Sequence, residues 1–279
     1  GTPLPEGFDL TPEPSLAPGN APRGDLRFGM TPTPLYIATP HPASPLTGAI
    51  AAYTRGDYTA TLSLIEEARA AGEITVDAAY YEGMALFALG RTDEALAALL
   101  AGERADSQFA PVQAALGLVY ARQGAVERAR AANERARTLD PLLLMAYLNQ
   151  ADLYLVQGDT AAAQAEIDAA RTSGRYEYNV DLLVLESRIA LATEEPERAL
   201  ALAKLAHYID PGAEPANVWL GRARLAAGFA DRALVDLEDY VFTVNPSSAE
   251  GWLLLAGIYR GQGRAADALE AYARAVQLS

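Results

Sequence analysis

The chain has 279 residues, 51% of them apolar, with a formal net charge of -14 and a pI near 4.6. That length and apolar content supply a sizeable core, and the acidic balance argues against nucleic acid as a general partner, because phosphate binding wants a basic face. There is no cysteine, which excludes disulfides, thiolate catalysis and Cys-ligated metal, and no apolar run approaches the ~20 residues of a membrane span.

Residues 1 to 43 carry ten of the 17 prolines, in runs such as TPTP at 31 to 34 and TPHP at 39 to 42. Proline lacks a backbone donor and biases its predecessor away from helix, so the segment is expected to be an extended or disordered Pro/Thr-rich tether. Phe28, Met30, Leu35, Tyr36 and Ile37 are too apolar for a pure spacer. They are expected either to lie along the first repeat or to occupy a groove elsewhere in the chain. The chain begins at Gly1 without a methionine, so a processed or trimmed start is expected, with a leader or anchor removed. Compartment is left open between bacterial cytoplasm and an exported or envelope-tethered state, the tether favouring the second.

From residue 44 onward the chain is periodic. Glycines fall at 56, 90, 124 and 158, three consecutive intervals of 34; Glu194 takes the next slot, and Gly228 and Gly263 follow. Five residues after each landmark stands a small side chain: Thr61, Ala95, Ala129, Ala163, Ala199, Ala233 and Ala268. Around each glycine, apolar residues recur at spacings of three and four, the signature of two amphipathic helices joined by a tight turn. Pro141, Pro211 and Pro246 stop second helices before the next unit begins. Seven units are expected, at about 44–74, 76–109, 110–143, 144–175, 180–213, 214–248 and 249–279.

The last unit carries Trp252, Leu255, Ala256, Tyr259, Ala268, Tyr272 and Ala275; the third carries Leu116, Gly117, Tyr120, Ala129, Ala136 and Pro141; the fourth carries Tyr147, Ala151, Tyr154, Ala163 and Ala170. In phase, these landmarks resemble the tetratricopeptide repeat family, whose unit reads W-x2-L-G-x2-Y, A-x3-F, A and P. The resemblance covers about 235 residues and implies an all-α, right-handed solenoid in which first helices line a concave face. Departures are visible too. The fifth unit has Glu186 and Ser187 where Leu and Gly are usual, Trp219 is displaced by two positions, Pro246 comes one residue late, and extra residues sit around Thr172 to Tyr178. A local irregularity in superhelical twist is expected near 172 to 180.

The resemblance also implies where a partner binds, at the second, fifth, ninth, twelfth and thirteenth residues of each unit. Carried over, these supply an apolar half with Leu46, Ile50, Tyr53, Tyr80, Met84, Phe87 and Leu118. A polar half has Arg188, Arg222 and Arg260 with Asp152, Asp181 and Glu250, and Arg122 and Asn149 lie nearer the middle. An arginine fork reads carboxylates bidentately, so the expected guest is an extended peptide with an apolar segment and an acidic portion or free C-terminus. Tyr53, Tyr80 and Phe87 equally suit sealing the junction between repeats, and Arg188 suits an inter-repeat ion pair with Asp152. Arg222 and Arg260 have fewer obvious acidic neighbours. Asn149 without a groove lysine does not make the carboxylate clamp known in this family.

The expected function is therefore a non-enzymatic protein-interaction scaffold. Two alternatives stand beside it: an accessory subunit of an envelope or secretion assembly, binding through the convex face or C-terminal edge, and a groove autoinhibited by residues 28 to 40. No cofactor or metal is expected. The two histidines, His41 and His207, are isolated, and no glycine-rich phosphate loop or paired-histidine motif appears. At the C-terminal edge Leu269, Tyr272, Val276 and Leu278 have no following helix to cover them, so either further chain or a partner, such as a second copy, is expected there.

Overall fold

In the computed structural model residues 45–72, 75–172 and 178–278 are described. The proline-rich segment, with its apolar stretch 28 to 40, and the expected irregularity around 173–177 lie outside the described residues. What is described is helical throughout and falls into two compact units, 45–172 and 178–278.

The first unit contains α1 (Pro45–Thr54), α2 (Tyr58–Ala70), α3 (Val76–Ala88), α4 (Thr92–Ala105), α5 (Ala110–Arg122), α6 (Val126–Leu139), α7 (Leu144–Val156) and α8 (Thr160–Thr172). The second contains α9 (Val180–Ala192), α10 (Pro196–Ile209), α11 (Glu214–Ala226), α12 (Ala230–Asp239), α13 (Ala249–Gly261) and α14 (Ala265–Leu278). In each unit an odd helix packs on the even helix that follows it, and also on the next odd helix. Even helices touch the odd helices before and after them. One hairpin cannot bury its apolar face alone, and stacking lets neighbouring hairpins bury theirs against one another. The architecture is an all-α solenoid.

The hairpin turn repeats atom for atom. The glycines at 56, 90, 124, 158, 228 and 263 have φ between 72° and 85°, and Glu194 adopts φ 60° in the same slot. In every hairpin the residue after that slot donates its N–H five residues back, as in Arg91 to Leu86 O at 2.9 Å and Glu195 to Ala190 O at 2.8 Å. This closes the helix carbonyls that have no intrahelical donor. A left-handed backbone costs a side-chain-bearing residue ~1–2 kcal/mol, and glycine gives back ~0.5–1 kcal/mol in chain entropy. Glu194→Gly is therefore expected to stabilise the second unit by about 0.5–1 kcal/mol, read as a higher urea midpoint with unchanged slope.

Packing between paired helices depends on the small residues. Thr61, Ala95, Ala129, Ala163, Ala199, Ala233 and Ala268 are all buried. On the opposing helix, a Cβ placed at Gly83 would fall 2.5 Å from Leu99 Cγ. The unusual Ser187 fits because its hydroxyl donates to Ala199 O at 2.9 Å, so the polar atom is satisfied where it is fully buried.

Two sequence irregularities have simple physical outcomes. The second helices α2, α4, α6 and α10 end with an ordinary bond, as in Asp210 N–H to Ala206 O, whereas Asn245 N–H reaches Tyr240 O across a π-helical turn, Tyr240–Val244. The late Pro246 thus reflects one extra residue absorbed as a wide turn. The displaced tryptophan is explained by what the landmark does. Tyr147 Oη donates to Pro141 O at 2.9 Å and Trp252 Nε1 to Pro246 O at 3.0 Å. In the sixth repeat Asn217 Nδ2 donates to Pro211 O at 2.9 Å. Asn217 performs the tie, and Trp219 is released to another face.

Candidate functional site

The odd helices present the candidate residues, and the two units treat them differently. In the first unit three of the seven expected apolar groove residues are buried. Tyr80 is 3% exposed, stacks edge-on with Tyr81 at 5.1 Å and turns its hydroxyl toward Met145 Sδ on α7 at 4.0 Å. A tyrosine on α3 that meets α7 passes across α5, and nearly all of α5 is buried. Leu46 and Ile50 are buried as well. These three side chains belong to the buried core of the first unit.

Tyr53 is half-buried, edge-on to Tyr58 at 5.6 Å and Tyr81 at 5.2 Å. Burial first, then the neighbouring tyrosines, push its hydroxyl well above the usual phenol range. Met84, Phe87, Leu118 and Asp152 are also half-buried. Arg122 is exposed and lays its guanidinium over the Phe87 ring at 4.9 Å, a cation–π contact. Asn149 is committed to the fold: its Nδ2 donates to Ala114 O at 2.8 Å and approaches Asn133 Oδ1 at 3.4 Å.

The second unit gathers a more open cluster. Trp219, on α11, has two guanidinium groups over its ring, Arg188 of α9 at 5.3 Å from the ring centre and Arg222 at 4.8 Å. All three are half-buried. Against the expectation of few acidic neighbours, Arg222 Nη2 donates to Glu250 Oε1 of α13 at 2.8 Å. The reason is register: Glu250 follows Arg222 by 28 residues, and the two adjacent odd helices bring the ninth residue of one repeat beside the second of the next. Arg260 is exposed on α13 and has no ion pair among the described residues. Trp219 was not among the sequence candidates; its departure from the landmark position was the signal that marked it.

Asp181, at the N-terminus of α9, is half-buried. Desolvation first, and then the charge of Asp210, hold its carboxyl above the ordinary 3.8. A carboxyl with a raised folded-state pKa is destabilising above that pKa, and the penalty disappears as pH falls to the unfolded value. Asp181→Asn is therefore expected to raise the melting temperature at pH 7 and to leave it unchanged below about pH 3.8, as differential scanning calorimetry would show. His207 is half-buried at the end of α10, where burial first and the charge of Arg224 next hold its imidazole below the usual range.

Among the described residues no three His, Cys, Asp or Glu side chains are arranged to hold a metal ion. Among them, too, no helix is long and apolar enough to cross a membrane.

No curated protein matches the chain by sequence. Solved structures with a similar fold include a tetratricopeptide repeat protein from Parabacteroides merdae, at 15% identity over 84% of this chain and 92% of that one, TM-score 0.60. TTC0263, a thermophilic TPR protein of Thermus thermophilus, aligns at 20% identity over 65% of this chain and 97% of its own, TM-score 0.59. PilW, a widely conserved type IV pilus biogenesis factor, aligns at 18% identity over 71% and 91%, TM-score 0.56. At these identities the likeness concerns the fold. A family profile described as tetratricopeptide repeat matches residues 46–111, 148–214 and 220–279. With the hairpin turn, the buried small residues and the proline ties recurring through the same stretches, the chain belongs to the tetratricopeptide repeat family.

Proposed function

We propose that the protein is a non-enzymatic scaffold whose second unit holds an extended, acidic peptide segment of a partner protein on the odd-helix face around Trp219. The tetratricopeptide fold is in general a protein–protein interaction scaffold, and what supports this finer reading is one observation: an indole contacted by the guanidinium groups of both Arg188 and Arg222. In a chain of net charge -14, two cations meet at this indole, and Arg260 is exposed on α13. The indole offers flat apolar area at low entropic cost, and forked donors suit a carboxylate. Glu250 already holds Arg222 as an internal carboxylate, and a guest carboxylate would exchange with it. In the first unit the half-buried Tyr53, Met84, Phe87 and Leu118, with Arg122 and Asp152, form a secondary contact face under this proposal; Tyr80 and Asn149 serve packing.

Three fluorescein-labelled peptides of twelve residues test the proposal, one rich in Glu and Asp, its Gln/Asn counterpart, and a Lys/Arg-rich version. Fluorescence anisotropy is expected to show binding of the acidic peptide alone, weakening as salt rises, with Trp219 emission changing on titration. Equal binding of all three, or binding of the acidic peptide that survives Arg188→Ala with Arg222→Ala, would overturn it.

A further inference from the structure

In the second unit the π-helical turn, the start of α13 and one side of α14 border an open pocket of about 470 Å³, within the size range of small-molecule sites. One wall is apolar and includes Phe242, Pro246 and Trp252. Phe242, carried by the π-helical turn, is mostly exposed and stands edge-on to Trp252 at 4.9 Å and 90°. Trp252 gives its Nε1–H to Pro246 O at 3.0 Å, so the indole offers the pocket only its ring. The other wall is α14, with Glu270, Arg274 and Gln277 spaced by four and three residues along one side. Helical spacing puts Glu270 and Arg274 about 160° around α14 from Tyr272, so a helix stacked on the Leu269–Tyr272–Val276 side leaves this pocket open.

The charges on the second wall say what fits. Glu270 and Arg274 are both exposed, and neither is in an ion pair among the described residues. Their order, Glu one turn before Arg, favours a pair between them. An exposed pair of that kind contributes little, and a ligand's charges can replace it. One turn separates the two positions by ~6 Å along the helix. Two extended residues span at most ~7 Å, so the two ends of a free dipeptide reach both side chains at once. Its ammonium meets the Glu270 carboxylate, and its carboxylate enters the Arg274 fork. A longer extended peptide overshoots when both ends are held. The apolar wall takes a side chain of the same ligand, packed against the exposed ring of Phe242. We propose that this pocket binds a free-ended dipeptide with an apolar side chain, running parallel to α14. The proposal goes beyond the acidic-peptide reading and uses none of its residues.

Leucyl-phenylalanine is the probe, titrated into the isotope-labelled full chain and followed by NMR. The chain has two tryptophans, so two indole N–H signals report, and Trp219→Phe tells them apart. The Trp252 signal is expected to move to saturation while the Trp219 signal stays in place. N-acetylation or C-amidation of the probe is expected to weaken binding about tenfold each, the loss of one charge-assisted contact. Glu270→Gln is expected to abolish the difference between free and acetylated probe, and Arg274→Gln that between free and amidated probe. Phe242→Ala is expected to weaken all three alike. Circular dichroism of each variant checks that these exposed substitutions leave the fold intact. Free and doubly capped probes that bind alike would show a cavity that reads no charge, and the proposal would fall. It would fall equally if the Trp252 signal did not move up to the solubility limit of the probe. A Trp252 signal that moves on dilution of the protein alone would assign the pocket to a second copy of the chain and overturn the proposal.

Discussion

Leu237→Ala is expected to destabilise the second unit by about 2–5 kcal/mol, the range for deleting a fully buried leucine side chain. Leu237 is 1% exposed on α12 and lies directly over Gly221 of α11. A Cβ at Gly221 would sit 2.8 Å from Leu237 Cδ1, 3.1 Å from Cγ and 3.2 Å from Cδ2. Gly221→Ala alone is therefore expected to cost about 1–3 kcal/mol through overcrowding. Combined with Leu237→Ala the new methyl enters the space the leucine vacated, and the double variant is expected to be more stable than the sum of the two losses allows, by about 1 kcal/mol or more. Urea unfolding followed by circular dichroism measures the cycle. Because repeat proteins are stabilised by neighbour-to-neighbour terms, the losses should appear in the transition of residues 178–278. Strictly additive losses would mean that the close approach of α11 and α12 at Gly221 does not govern their packing.

Arg188→Ala with Arg222→Ala is expected to weaken the acidic peptide by about a hundredfold. A charge-assisted contact of this kind contributes ~1.5–3 kcal/mol, and two of them at the lower end give about 3 kcal/mol, roughly two decades in affinity. Two further variants separate charge from stacking. Trp219→Leu keeps both guanidinium groups but removes the aromatic face, and is expected to weaken binding by less than the double arginine variant while flattening the preference for aromatic residues in the guest. Glu250→Gln removes the internal competitor for Arg222 and is expected to tighten the acidic peptide. If Glu250→Gln weakened binding instead, the carboxylate would be holding Arg222 in its productive position and not competing for it. Isothermal titration of the four proteins against the same peptide distinguishes these outcomes.

Several features are legible in the chain because they depend on backbone geometry and on spacing. A turn that needs a left-handed residue selects glycine every 34 positions, so Glu194 stands out, and its φ of 60° shows that the turn geometry overrides the residue's own preference. Helices that approach closely select small residues, so Ala95 or Ala233 is recognisable as a contact point before any coordinate is known. The late Pro246 announces an insertion, though not its form; only the bond from Asn245 to Tyr240 identifies a π-helical turn.

Depth and partnership were not legible. Periodicity names the face on which Tyr80 and Phe87 lie, yet Tyr80 is buried by a contact with Met145, 65 residues away, and Phe87 stays half-buried under Arg122. Spacing within one repeat gives Arg222 few obvious acidic neighbours because its partner, Glu250, belongs to the next repeat. Trp219 looked like a damaged landmark because its substitute in the tie, Asn217, belongs to no motif. By itself the sequence determined the hairpin, its turn and the repeat rhythm, since those follow from interactions within about 34 residues. Which of the outward residues remain open to a partner was decided only by tertiary structure, because side chains from different repeats compete for the same space and the same charges.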